Sequence, residues 1–299
     1  MIKGTTKLLG VIGHPIEHSL SPLMHNAALS HLGLDYVYLP FPVKSGDLKV
    51  AISGFEAVGV MGFNITIPHK QTILPLLSEV SPLAIAVGAV NTVYRTKKGW
   101  AGTNTDVQGF LAPLRSPSLQ TSIDDWSQKI AVILGSGGAA RAIVAGCAEL
   151  GCAQIHIVGR DRAKLAAFEQ SWRNSPLPVN LFTHTWDNLG KLISQADLLV
   201  NATPIGMYPQ GENSPVDVNL LDQISAGAIA YDLIYTPNPT EFLKQAQERG
   251  AIAIDGLEML VQQGAAALEI WLQKPVPIDV MRHTLQQHLS NQTNTISLN

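Results

Sequence analysis

Short apolar runs alternate with longer segments of mixed polarity along almost the whole chain. The runs with the length and composition of strands are 8–12, 36–41, 60–67, 90–94, 130–134, 154–158, 197–200 and 229–234. Ser21 is predicted to cap the first helix, with Pro22 at its first position and Gly33 at its exit. Helices are also predicted at 106–114 and 139–150. Strands that alternate with helices favour parallel pairing, so the pattern predicts an α/β protein with mostly parallel sheets.

A loop rich in Ser, Pro and Asp, over 115–125, separates two halves of this pattern. From Lys129 a strand, a glycine loop, a helix and a second strand follow, which is the organisation of a βαβ array. Two more helices are predicted near the end, over 256–272 and 277–289. The first of these contains the small residues of 264–267, which suit close packing. The final polar residues, 290–299, are predicted to fray.

Composition narrows the class of protein. At 299 residues the chain is long enough for two domains, because a single core stops growing at roughly 250–300 residues. It is 46% hydrophobic and 14% charged, as expected for a globular protein with a large core. The net charge is −3 and no basic cluster exceeds residues 95–98, which argues against nucleic acid or an anionic membrane surface as the main partner.

The N-terminal residues and the cysteines bear on the cellular location of the protein. Residues 1–7 lack the apolar region of a signal peptide, and no apolar run reaches the roughly 18 residues of a membrane span. Cys147 and Cys152 flank a predicted helix end and read as small core residues. We therefore expect free thiols in a reducing cytoplasm.

A glycine loop follows the strand at 130–134. The residues Gly135, Ser136, Gly137, Gly138, Ala139 and Ala140 fit the pattern G-x-G-x-x-G/A. In that pattern glycines allow a tight turn and close approach to a pyrophosphate, and the helix N-terminus attracts phosphate. An ordinary glycine turn would fit the same residues, but the strand–loop–helix–strand context favours dinucleotide binding.

The end of the next strand bears on the choice of cofactor. A carboxylate there would favour NAD, but Arg160 follows Gly159 and can bind a 2′-phosphate. Arg162 and Lys164 add positive charge, so NADP is predicted. Asp161 keeps NAD possible, and a solvated basic helix start would also fit these residues.

A lysine and an aspartate provide a candidate acid–base pair. Lys70 ends the apolar stretch that Pro68 interrupts, and Asp106 closes the polar cluster of 102–106. Side chains at such edges are often held by a rigid scaffold for chemistry. A surface lysine and a helix-capping aspartate would fit the same positions.

Small polar donors are dense between residues 13 and 26. Ser19 and Ser21 precede or begin a helix, so their hydroxyls could meet a carboxylate or a hydroxylated ligand, and Ser21 could also be only a cap. His14, His18 and His25 do not have the spacing of a compact zinc site, and we predict no bound metal.

Together these motifs resemble the shikimate dehydrogenase family. The resemblance runs in family order from residue 13 to about 272. It is carried by Gly13-His14-Pro15-Ile16, Ser19-Leu20-Ser21-Pro22, Asn64-Ile65-Thr66-Ile67-Pro68-His69-Lys70, Gly88-Ala89-Val90-Asn91-Thr92, Gly102-Thr103-Asn104-Thr105-Asp106, Asn201-Ala202-Thr203-Pro204, Tyr231-Asp232-Leu233-Ile234-Tyr235 and Asp255-Gly256-Leu257-Glu258. The glycine loop is also present but is generic.

The resemblance implies reversible reduction of 3-dehydroshikimate to shikimate by NADPH. It implies an N-terminal α/β substrate domain (1–107 with 257–299), a Rossmann-type NADP-binding domain (108–256) and C-terminal helices that return to the first domain. The substrate cleft is expected between the domains, and because the chain crosses between them twice, hinge closure of that cleft is a further hypothesis. The substrate contacts that it implies are Ser19, Ser21, Thr66, Lys70, Asn91, Asp106, Tyr235 and Gln263. The implied cofactor contacts are Gly135 to Ala139, Arg160, and the backbones of Leu233 and Gly256.

Two residues depart from the family pattern. Gly159 stands where asparagine is common, which removes one adenosine contact, and Asp161 stands where a neutral or basic residue is common. In the implied chemistry Lys70, resting as a cation, stabilises the developing oxyanion or donates the proton, while Asp106 orients it.

Two alternative functions also fit the sequence, and experiment can distinguish them from this one. A quinate/shikimate dehydrogenase that accepts NAD is the alternative enzyme, and a cofactor-binding sensor without turnover is the alternative class. The small-molecule substrate is the expected partner, in a monomer or a homodimer.

Overall fold

The computed structural model describes residues 2–296, except 118, 120–122, 124 and 174. Part of the predicted loop over 115–125 and the end of the predicted frayed tail, 297–299, lie outside the described residues. The chain forms two compact units, one of Met1–Gly109 with Leu260–Asn299 and one of Phe110–Met259. Within the described ranges, no helix is long and apolar enough to cross a membrane.

The first unit is built on a six-stranded sheet with the order β2-β1-β3-β5-β6-β4. Its strands are β1 Lys7–Gly13, β2 Tyr36–Pro42, β3 Gly62–Ile65, β4 Glu79–Val80, β5 Thr92–Thr96 and β6 Gly99–Thr103. The accompanying helices are α1 Ser21–His31, α2 Leu48–Ala57 and α3 Pro82–Val87, and helix α4 Asp106–Leu114 begins in this unit and ends in the second. The core beneath the sheet is apolar and includes Phe63, Val93 and Trp100.

This sheet is mixed, with three parallel and two antiparallel strand pairs, so most of its pairs are parallel, as predicted. Strand β1 pairs in parallel with β2 and β3, but β5 pairs antiparallel with both β3 and β6. Strands β4 and β6 have no counterpart among the predicted strands. Strand β6 contains two glycines and β4 only two residues, so neither has the run of β-branched residues that marks a strand.

The second unit has a six-stranded sheet with the order β12-β11-β10-β7-β8-β9, in which every pair is parallel. Its elements are β7 Ile130–Leu134, α5 Gly138–Leu150, β8 Gln154–Gly159, α6 Arg162–Arg173, β9 Leu181–Thr185, α7 Leu189–Ile193, β10 Leu198–Asn201, α8 Val218–Leu221, β11 Ile229–Asp232, α9 Glu241–Glu248 and β12 Ile252–Ile254. This is the doubly wound Rossmann arrangement, with β7 and β10 at the point where strand order reverses. The prediction of an α/β fold with a Rossmann-type unit is confirmed.

Two helices complete the chain, α10 Leu257–Leu272 and α11 Ile278–Ile296. Helix α11 continues beyond the predicted end at 289 because residues 278–296 contain neither glycine nor proline, and polar residues alone do not stop a helix. Helix α10 packs closely because glycines, which have no side chain, lie at two of its contacts. A Cβ at Gly264 would lie 2.3 Å from Met24 Cε in α1, and a Cβ at Gly62 would lie 2.1 Å from Trp271 Nε1.

Candidate active site

Lys70 and Asp106 form a short, largely buried ion pair in the first unit. Lys70 Nζ donates to Asp106 Oδ2 at 2.6 Å, and the side chains are only 15% and 6% exposed. Lys70 lies in the turn after β3, where its carbonyl accepts the N–H of Val90 at 2.7 Å, and Asp106 is the first residue of α4. Lys70 is therefore not an exposed surface lysine, and Asp106 is not a helix-capping aspartate.

Asn91 holds the other oxygen of the aspartate. Its Nδ2 donates to Asp106 Oδ1 at 2.8 Å and also lies 2.9 Å from Thr105 Oγ1 and 3.3 Å from Gln263 Oε1. Its Oδ1 accepts the Thr105 N–H at 2.7 Å. The structure thus brings four of the predicted substrate residues together: Lys70, Asn91, Asp106 and Gln263.

Asn104 is a structural residue of this site that our sequence analysis did not identify. Its Oδ1 accepts the N–H groups of Asp106 and Val107 at 3.0 and 3.4 Å, and its Nδ2 donates to Ala89 O at 3.0 Å. Asn104 therefore satisfies the first N–H groups of α4 and leaves the Asp106 carboxylate available to Lys70. Asparagine two residues before the helical aspartate is the signal that could have found it.

The serines and the threonine follow two neighbouring strands. Ser19 comes after β1 and Thr66 directly after β3, and these strands are parallel, so their carboxyl ends share one edge of the sheet. Ser21 is the first residue of α1, and Ser19 Oγ accepts its N–H at 3.3 Å.

The prediction that Ser21 caps α1 is wrong. Leu20 occupies the cap position in a helical conformation (φ −86°, ψ −2°) and makes no side-chain cap. A capping side chain needs an extended backbone at the cap residue, which this helix start does not have. Pro22 is accordingly not the first helical residue, whereas Gly33 does follow the helix end with φ +64°. The Ser21 hydroxyl is free of a capping role.

The three histidines of this region do not converge. His25 is completely buried, its ring stacks on Tyr38 at 4.1 Å, and burial lowers the pKa of His25 to about 4. His14 and His18 are exposed. Among the described residues, no group of three or more His, Cys, Asp or Glu side chains is arranged to hold a metal ion.

The predicted glycine loop in the second unit has the geometry of a dinucleotide loop. Gly135 has φ +106°, a left-handed conformation, and a Cβ there would lie 3.1 Å from Ala202 O. Gly137 precedes α5, and a Cβ there would meet nothing within 4 Å. The space in front of this helix start is therefore open at Gly137, as close approach of a pyrophosphate requires.

The basic residues and Asp161 have different roles at the end of β8. Arg160, Arg162 and Lys164 are exposed. Asp161 Oδ1 instead accepts the N–H groups of Ala163 and Lys164 at 2.9 and 3.1 Å, so this carboxylate caps α6. A Cβ at Gly159 would lie 3.0 Å from Leu165 Cδ2, which gives a packing reason for glycine at that position.

The backbones of Leu233 and Gly256 meet after β11. A Cβ at Gly256 would lie 2.2 Å from Leu233 O, so only glycine fits there. The Gly256 N–H also donates to Ile234 O at 3.1 Å. Tyr235 follows in the same segment, in the second unit, and its predicted substrate contact stays a prediction.

Comparison with known proteins gives consistent matches. Residues 11–93 match the family described as "Shikimate dehydrogenase substrate binding domain", and residues 256–286 match "Shikimate 5'-dehydrogenase C-terminal domain". The shikimate dehydrogenase (NADP(+)) of Trichormus variabilis is 63% identical over 97% of this chain and 99% of its own length.

Solved structures of similar fold cover the same length. A shikimate dehydrogenase in complex with NADP+ is 37% identical, with a TM-score of 0.81 over 97% of this chain and 98% of that one. The quinate dehydrogenase of Corynebacterium glutamicum in complex with NAD is 30% identical, with a TM-score of 0.83 over 94% of this chain and 99% of that one.

A Rossmann unit with an open glycine loop, together with a buried lysine–aspartate pair in an α/β unit, defines a nicotinamide-dependent oxidoreductase of two units. Identity of 63% across almost the whole of both sequences narrows this class. The chain belongs to the shikimate dehydrogenase family.

Proposed function

We propose that this chain catalyses the reversible NADPH-dependent reduction of 3-dehydroshikimate to shikimate, with Lys70 and Asp106 at the reacting end. The enzyme is an oxidoreductase that acts on a CH–OH group and uses NADP. Shikimate formation belongs to the route to chorismate and the aromatic amino acids. The observation that carries the residue assignment is the 2.6 Å Lys70–Asp106 pair, buried and held on its far side by Asn91.

The chemistry of the pair follows from charge. The bound cofactor supplies a hydride to the ketone carbon, and negative charge then develops on the carbonyl oxygen. The Lys70 ammonium carries three donors, of which Asp106 accepts one, so others remain to bind that oxygen and to give it a proton. Asp106 fixes where the ammonium lies and offers an acceptor to a substrate hydroxyl.

The remaining substrate contacts follow the same arrangement. We assign the substrate carboxylate to Ser19 and Ser21, because both follow the carboxyl end of β1 and the Ser21 hydroxyl has no capping role. Thr66, Asn91 and Gln263 are assigned to substrate hydroxyls. Tyr235 is also assigned to the substrate, from the family resemblance.

Residues of the second unit fit the cofactor. The left-handed Gly135 and the close Leu233–Gly256 approach need glycine, and the space at Gly137 is open, so the three together provide backbone surface for a dinucleotide. Gly135, Ser136, Gly137, Gly138 and Ala139 are assigned to the pyrophosphate, Arg160 to the 2′-phosphate, and Leu233 and Gly256 to the nicotinamide. Arg162 and Lys164 add positive charge beside Arg160.

A second candidate function is the oxidation of quinate with NAD. It is suggested by the similarity to the quinate dehydrogenase of Corynebacterium glutamicum in complex with NAD. Among the described residues, Asp161 is the one that supports it. The Asp161 carboxylate already has a structural role, because its Oδ1 caps α6, whereas Arg160 beside it is exposed and suited to a 2′-phosphate. We therefore favour NADP.

The test is a matrix of steady-state rates with purified protein, shikimate or quinate as substrate, and NADP or NAD as cofactor. The absorbance of the reduced nicotinamide reports the reaction. Fast reduction of NADP with shikimate, and slow rates in the other combinations, would support the proposal. Preference for NAD, or equal rates with quinate, would favour the second candidate. Folded protein that binds NADP without turnover would overturn both.

We place the enzyme in the cytoplasm as a further part of the proposal, because both cysteines are free thiols and a reducing compartment keeps them so. Small molecules are its proposed partners.

A further inference from the structure

A chain of buried side-chain hydrogen bonds begins at Tyr38 on β2 and ends at Lys70. The Tyr38 hydroxyl donates to Asn64 Oδ1 at 2.7 Å, and Asn64 Nδ2 donates to Asn91 O and Thr92 Oγ1, both at 3.1 Å. Thr92 Oγ1 donates to Asn91 Oδ1 at 3.1 Å. Asn91 Nδ2 then reaches Asp106, which accepts Lys70.

Burial of these polar groups costs free energy unless each of them makes a hydrogen bond. Tyr38 and Thr92 are completely buried, and Asn64, Asn91 and Asp106 are at most 6% exposed. The sheet centre could be filled by apolar residues at lower cost, so the polar residues need a reason that fold stability does not supply. Fully connected buried networks fix one orientation of each member.

The directions of the bonds carry the argument. An asparagine amide has two nearly equivalent orientations. The backbone carbonyl of Asn91 can only accept, so it requires Asn64 Nδ2 on its side and leaves Oδ1 to accept from the Tyr38 hydroxyl. That choice points Asn64 Nδ2 at Thr92, and Thr92 in turn donates to Asn91 Oδ1. The Thr105 N–H donates to the same Asn91 oxygen at 2.7 Å, so two donors together hold the Asn91 amide with Nδ2 facing the Asp106 carboxylate.

The network also begins beside the proposed carboxylate end of the site. Burial raises the pKa of Tyr38 well above its ordinary range, and a hydrogen bond with the Ser21 side chain opposes that rise. The Tyr38 ring is fixed by stacking on His25 at 4.1 Å and by Trp271 at 6.0 Å. The hydroxyl therefore has little freedom to move away from Asn64.

We propose that Tyr38 and Asn64 are positioning residues for the reaction: through Thr92 and Asn91 they orient the carboxylate of Asp106 and so place the Lys70 ammonium. Neither residue is assigned a substrate contact. The inference rests on the proposed roles of Lys70 and Asp106.

The experiment is a double-mutant cycle of Tyr38→Phe and Lys70→Ala, with kcat for shikimate oxidation by NADP as the readout. Tyr38→Phe alone is expected to lower kcat about tenfold and to leave the KM for NADP unchanged, because one buried acceptor loses its donor. In the Lys70→Ala background the same change is expected to have less than about a twofold effect, because the group being positioned is gone.

A matched control is Tyr231→Phe, since Tyr231 is also completely buried and its hydroxyl has no hydrogen-bond partner among the described residues. It is expected to leave kcat unchanged. Circular dichroism and NADP titration verify that each variant is folded and binds cofactor. If Tyr38→Phe does not fold, Thr92→Val interrupts the same chain with a side chain of similar shape and decides the question.

The possible outcomes distinguish a failure of the proposed function from a failure of this inference. A wild-type protein that does not oxidise shikimate with NADP overturns the proposed function and this inference with it. An active wild type with a folded Tyr38→Phe variant of unchanged kcat overturns only the inference. An equal loss in both backgrounds also overturns it, because that result describes a general structural effect that does not pass through Lys70.

Discussion

The two units prepare for their ligands in different ways. In the first unit the candidate site is made of buried side chains that hold one another, from Tyr38 through Asn91 to Lys70. In the second unit it is made of backbone, at Gly135 and Gly256, and of exposed basic side chains such as Arg160. Substitutions in the first unit should therefore change the rate of chemistry, whereas those in the second should change cofactor affinity or local stability.

The largest expected effect is that of Lys70→Ala. Loss of the ammonium removes the proposed oxyanion partner and proton donor, so kcat should fall by about a thousandfold, with a much smaller change in KM for shikimate. Steady-state kinetics in both directions measure the split. Lys98→Ala, at an exposed ion pair with Glu79, is the control and should match wild type. A raised KM with intact kcat would contradict the assignment.

Asp106→Asn should have the next largest effect. The amide keeps the shape of the side chain but removes the charge that holds Lys70, so we expect kcat to fall by about a hundredfold. Asp222→Asn, at an exposed ion pair with Arg249, is a matched control in the second unit. Wild-type kcat in a folded Asp106→Asn variant would show that the carboxylate charge has no role.

Arg160→Ala tests the second unit. Loss of a charged hydrogen-bond donor to the 2′-phosphate should weaken NADP by about 2 kcal/mol, roughly a 30-fold rise in its KM, without a change in the KM for NAD. Arg173→Ala, at the other end of α6, should change neither value. Equal losses for NADP and NAD would mean that Arg160 does not recognise the 2′-phosphate.

The smallest expected effect is that of Asp161→Ala. Because Asp161 caps α6, its loss should cost about 1 kcal/mol of stability and leave the preference for NADP unchanged. Thermal unfolding measures the first quantity and cofactor kinetics the second. Asp217→Ala removes the cap of α8 in the same unit and should behave alike. A marked fall in activity with NAD would instead make Asp161 a ribose-binding residue.

The contrast between side chains that meet across the first unit and a local backbone loop in the second also explains what the sequence could predict. The glycine loop and the strand before it are local in sequence, so spacing alone predicts β7, the loop and α5. Lys70 and Asp106 could be singled out as candidates by their positions at element ends, but only the fold shows that they meet.

Other features depend on conformation or on distant residues. Asn91 and Gln263 meet although 172 positions separate them, and only family resemblance pointed to Gln263. Ser21 was predicted to cap a helix that begins without a side-chain cap, and Asp161 was weighed for NAD although its carboxylate caps α6. For Ser21 the residue type allowed two roles, and the helical conformation at Leu20 excludes the cap. Strand β6, which forms antiparallel pairs with β5 in the first unit, has no counterpart among the predicted strands because its glycine-rich sequence lacks a strand pattern.

The central claim is that Lys70 and Asp106 act as one catalytic unit, and a double-mutant cycle between them tests it most directly. Single-turnover reduction of NADP by saturating shikimate should be about as slow in Lys70→Ala/Asp106→Asn as in Lys70→Ala alone, because the aspartate acts through the lysine. If the two losses instead multiply in the double variant, the residues act independently, and the account of the pair is wrong.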